Sequence, residues 1–92
     1  MKTFEELSEE MPLPEGFRWE KRPHYEDTGD GLGIQDADEW WHFGIDEGME
    51  MYAHHPGGAQ EKMRDKPTGD MEQDMRMMYS WFLLGAYGGP AT

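Results

Sequence analysis

Cysteine is absent from the 92 residues, which excludes disulfides, thiolate nucleophiles and sulfur-ligated zinc. Positive charge is scarce: 8 Lys and Arg stand against 20 Asp and Glu, for a formal net charge of −12. That balance disfavours direct binding to duplex nucleic acid or to an anionic membrane. Long apolar runs are missing too. The most apolar stretch, 77–87, is interrupted by Ser80 and falls well short of the roughly twenty residues needed to cross a bilayer. Met1-Lys2-Thr3 is followed by Phe4-Glu5-Glu6, acids where a secretion signal needs an apolar core. The expectation is one small domain over 1–92, cytoplasmic and without membrane association.

Catalytic signatures are equally lacking. The only serines, Ser8 and Ser80, sit in no nucleophile-elbow context. Gly29-Asp30-Gly31-Leu32-Gly33 lacks the third glycine of a phosphate loop at its required offset and places Asp30 where an anion would sit. Counted from Asp27, the third and fifth positions of a calcium loop are Gly29 and Gly31, which carry no oxygen ligand. A hairpin would bring His42, Glu50 and His54 to one face with His55 and Asp46 close by, but no His-Glu-x-x-His element supports them. His42, His54 and His55 are the only candidates for a metal, and no metal or other cofactor is assigned. An enzyme is not expected.

What is present is acid, and it is unevenly placed. Residues 1–50 hold 15 acids and 4 bases, net −11, and 51–92 hold 5 and 4, net −1. The acids come in four groups, 5–10, 26–30, 36–39 and 46–50, divided by basic and aromatic residues. That interleaving argues for a folded acidic surface rather than a disordered tail.

The local patterns predict an α+β domain. Thr3 with Glu6 forms a capping box for a helix that ends before Pro12 and Pro14. Residues 16–23 alternate Phe17, Trp19 and Lys21 with Arg18, Glu20 and Arg22, the period of a strand. Residues 27–33 read as turn. Asp36–His55 fits two periods. As a helix it aligns Ala37, Trp41, Ile45, Met49 and Ala53, with Asp36 and Glu39 as a cap. As a hairpin it sets Trp41, Phe43 and Ile45 against Met49, Met51 and Ala53 across Asp46-Glu47-Gly48, with the glycine at the left-handed position. Gly44 and Gly48 would each cost a helix about 1 kcal/mol relative to Ala, so the hairpin is preferred and a mostly α fold is the alternative. Adjacent Trp40 and Trp41 would then face opposite ways, one into the core. Residues 59–66 suggest two helical turns before Pro67, and Asp70 caps a helix running toward Tyr87 that Gly88-Gly89-Pro90 stops. The expected architecture is an N-terminal helix, a short antiparallel sheet of about three strands, and an apolar C-terminal helix.

These features point to a binding protein. A folded surface of this charge competes for the Lys and Arg side chains that hold nucleic acid, so the expected partner is a protein or nucleoprotein complex with a basic groove. Inhibitors of restriction enzymes or RNA-guided complexes, as carried by phages and mobile elements, belong to this physical class. The expected contacts are Asp27, Asp30, Asp36, Asp38, Glu39, Asp46, Glu47 and Glu50, with Arg18, Lys21, Arg22 and Trp40 adding specificity. An alternative is a structural subunit assembling through Met77, Trp81, Phe82 and Leu84, with itself as a homodimer or with a larger protein. A small metal-binding protein built on the histidines is the third class.

Overall fold

A computed structural model of the chain describes residues 1–54 and 60–84. Helix α1, Phe4–Glu10, opens at Thr3, whose hydroxyl accepts from the Glu6 amide while the Glu6 carboxylate accepts from the Thr3 amide. The capping box therefore satisfies two amides that a helix start leaves without intrahelical partners. Strand β1, Phe17–Lys21, follows. One helical turn, α2, Tyr25–Thr28, ends on Gly29 in the left-handed conformation. Four strands then run in succession: β2, Leu32–Asp36; β3, Trp41–Ile45; β4, Met51–His54; and β5, Gln60–Lys62. Helix α3, Met71–Leu83, begins at Asp70, whose carboxylate accepts from the Gln73 amide.

The five strands form one antiparallel sheet in chain order, β1-β2-β3-β4-β5. This is an α+β fold with two more strands than expected. The first, β2, falls in residues read as turn and as the start of the ambiguous segment. Its burial is nearly continuous, with Leu32, Gly33, Ile34 and Gln35 all buried, so no alternation marks it. The second, β5, replaces the helical turns expected at 59–66. Its residues are exposed and pair with β4, Tyr52 opposite Lys62, a tertiary pairing that overrides local helix propensity. Asp36–His54 is strand, loop, strand and not helix. His55, Ala59, Tyr87 and the Pro56-Gly57-Gly58 and Gly88-Gly89-Pro90 breaks lie outside the described residues.

Both longer helices lie on one face of the sheet. Leu7 and Met11 from the α1 end, and Met75, Met78 and Phe82 from α3, join Trp19, Leu32, Ile34, Phe43, Ile45, Met51 and Ala53 in a single core. Full burial of one such side chain is worth about 1.5–3 kcal/mol. Trp19 donates its indole N–H to the Met11 carbonyl at 2.9 Å, tying β1 to the end of α1. Phe82 packs edge-on against Phe17 and Phe43, centroids at 5.0 and 6.5 Å. No helix among the described residues is long and apolar enough to cross a membrane.

Candidate functional site

With the helices on one face, the other face of the sheet carries the candidate site. Its surface comes from the alternate residues Arg18 and Glu20 of β1 and Arg22 just beyond it, and from Tyr52 and His54 of β4. A register shift in the β2-β3 pair decides what β3 contributes. Ile34 stands opposite Phe43, but the next residue, Gln35, stands opposite Trp41, leaving His42 as the extra residue of a bulge. The bulge turns Trp41 onto the open face. There it lies over two facing glycines: a Cβ at Gly33 would sit 2.7 Å from Trp41 Cζ3, and one at Gly44 3.1 Å from Cε3. The Arg22 guanidinium lies over the Trp41 ring, 5.3 Å from its centroid.

These residues bound an open groove of about 340 Å³. Trp41, Tyr52 and Arg22 line it together with Asp30, Asp46 and Glu47. These acids come from two loops in contact. The Gly31 amide donates to the Ile45 carbonyl at 3.0 Å, and a Cβ at Gly29 would collide with the Met49 thioether at 2.7 Å.

The loops at the two ends of β3 share one design. In 36–40, the Asp36 carboxylate accepts from the Asp38 and Trp40 amides at 2.9 and 3.0 Å, and Glu39 takes a positive φ of 63°. In 46–50, the Asp46 carboxylate accepts from the Gly48 and Glu50 amides, both at 3.0 Å, and Met49 takes a φ of 57°. In each loop the first and fifth residues also close a backbone hydrogen bond of 3.0 Å. The left-handed position is therefore Met49 and not Gly48, because the loop closes on Glu50 and its strained residue is the fourth.

The expected contact residues thus divide. Asp36 and Asp46 organise their loops; the Trp40 amide, then His42, hold the Asp36 carboxyl below the usual carboxylate range. Asp30 accepts from the Thr28 hydroxyl and faces His24, which lowers its pKa in the same sense, Thr28 first. Glu50 faces Lys62 at 3.3 Å and Lys66 at 4.0 Å. Glu39 faces Arg18 at 3.8 Å. Asp27, Asp38 and Glu47 are exposed and form no ion pair among the described residues.

The basic residues are paired. Arg18 donates to the Gln35 side chain and the Asp36 carbonyl and lies 3.6 Å from Glu20; Arg22 lies 3.8 Å from Glu20. Lys21 points to the opposite face and pairs with Glu26 at 2.5 Å, holding the Glu26 carboxyl low. The three cations therefore do not form one cluster, because the period of the strand divides them.

Neither adjacent Trp fills the core. Trp40 sits in the 36–40 loop, 52% exposed, with its ring 6.4 Å from His54, while Trp41 lies in the groove. His42, on the core side against Phe17 at 5.0 Å, is separated from His54 on the open face, which corrects the expected shared face and follows from the bulge. No group of three or more metal-ligating side chains occurs among the described residues. Of the expected apolar interface, Phe82 is core, Met77 is half-buried, and Trp81 donates its indole N–H to Asp65 at 2.9 Å. Only Leu84, 71% exposed, faces outward with Leu83, 63% exposed. The groove itself was missed by sequence reasoning; Gly33 and Gly44 are its signal, but only once the register is known.

No family model, curated protein or solved structure matches this chain.

Proposed function

We propose that this protein is a non-enzymatic binding protein whose acidic surface engages the basic, nucleic-acid-binding surface of a partner protein or complex. One observation carries the reading: among the described residues every Lys and Arg except Arg64 lies within 4.0 Å of a carboxylate of the same chain. The positive charge is thereby neutralised internally. The excess acids, Asp27, Asp38 and Glu47 among them, are left facing solvent. An outward field of one sign steers association with a basic groove and competes there with phosphates. Inhibitors that occupy the nucleic-acid channel of restriction or RNA-guided complexes work by this physics, and that is the functional class we assign.

The test is capture of partners on immobilised protein from nuclease-treated lysate, eluted with rising salt. A nucleic-acid-handling protein eluting at moderate salt, displaced by added DNA or RNA and lost with D27N/D38N/E47Q, is the expected result. Retention that ignores both salt and the triple variant overturns it.

A second reading rests on exposed Leu83 and Leu84, which suit assembly with another chain. Leu84→Glu would abolish that assembly while leaving salt-sensitive binding intact.

A further inference from the structure

We infer that the open-face groove seats an arginine side chain of the partner, stacked among Trp41 and Tyr52 and met by the carboxylates of Asp30, Asp46 and Glu47. The inference rests on the acidic-surface reading above and names where one partner residue enters.

Charge selects the occupant. The groove brings Asp30, Asp46 and Glu47 against one permanent cation, Arg22, so three carboxylates face a single fixed positive charge. A phosphate or carboxylate is repelled there, and a cation is attracted. Two of the carboxylates retain capacity: Glu47 is exposed and has no ion pair among the described residues, and the loop amides take only one oxygen of Asp46.

The aromatic wall selects within cations. Arg22 already lies over the Trp41 ring while its own carboxylate partner, Glu20, stands 3.8 Å away. The free protein therefore uses this ring as a cation platform, and an incoming arginine takes that place as Arg22 turns to Glu20. The facing glycines of β2 and β3 keep the Trp41 ring down on the sheet, and Tyr52, cross-strand from Gly44, extends the aromatic surface. A planar, weakly hydrated guanidinium stacks on such a surface better than a compact ammonium.

The test is a titration of ¹⁵N-labelled full-length protein with nona-arginine, nona-lysine and nona-citrulline peptides at low salt. The indole N–H signals of the 4 Trp are followed, with Trp41 assigned through Trp41→Phe. The expected result is a saturable Trp41 shift with nona-arginine, a smaller one with nona-lysine and none with nona-citrulline. Glu47→Gln, an exposed change, should weaken the shift about threefold, the scale of one screened ionic contact. Nona-arginine binding that leaves Trp41 unmoved overturns the groove and leaves the acidic-surface reading standing. An equal Trp41 shift with nona-lysine overturns the choice of arginine. Failure of nona-arginine to bind at all removes the acidic-surface reading, and the groove with it.

Discussion

Glu39 and Met49 hold equivalent left-handed positions in two loops of one design, yet they should respond differently to glycine. A non-glycine residue there carries a backbone penalty of about 1 kcal/mol. Glu39 is exposed and its contact with Arg18 is 3.8 Å, so Glu39→Gly should raise stability by up to about 1 kcal/mol in urea unfolding. Met49 packs on Gly29, and Met49→Gly should gain less or lose stability, because the two loops that wall the groove would separate. Gly33→Ala should be far worse than Gly44→Ala, since its Cβ would meet the Phe43 carbonyl oxygen at 2.1 Å, a backbone atom with nowhere to move. Asp36 gives a pH signature. Its folded carboxyl titrates below the ordinary value, so its contribution is complete above the unfolded pKa of about 3.9 and is lost as pH falls through the lower folded one. Asp36→Ala should lower the urea midpoint at pH 7, and the gap between the two proteins should narrow as pH falls below about 3.9.

The elements differ in how much of them is written in adjacent residues. Helix starts were legible: Thr3 with Glu6, and Asp70, cap where their spacing says they should, because capping is a contact between neighbours. β1 and the β3-β4 hairpin were legible through alternation and turn composition. β2 and β5 were not, since one is buried on both faces and the other owes its conformation to pairing with β4. The bulge at His42 was equally silent, and it alone decides that Trp41 belongs to the groove and His42 to the core side; thus most of the acidic residues were legible as candidates but the groove between them was not. Helix α3 allows a test of local against tertiary terms. Asp70→Ala removes one capping acceptor and should cost about 1 kcal/mol. Asp74 is 1% exposed and accepts from the Thr68 amide and hydroxyl and from the Gly69 amide. Asp74→Ala removes all three of these bonds to a carboxylate and should cost more, about 1–3 kcal/mol, with the ordering of the two variants read from thermal unfolding.

At the scale of the molecule, a charge of −12 on 92 residues sets self-repulsion against the core. Added salt screens that repulsion over a Debye length of about 10 Å at 0.1 M. The protein should therefore gain stability between low and physiological ionic strength while its affinity for a basic partner falls. Opposite salt slopes for folding and binding are the expected signature, measured by unfolding and by titration calorimetry in the same buffers. The strand order carries a consequence of another kind. Because each strand pairs with its neighbour in the chain, the sheet can zip one hairpin at a time, and the two Asp-organised loops supply a nucleus at either end of β3. Low sequence separation between partners favours rapid folding; β2-β3-β4 would form early, and the docking of α1 and α3 would follow.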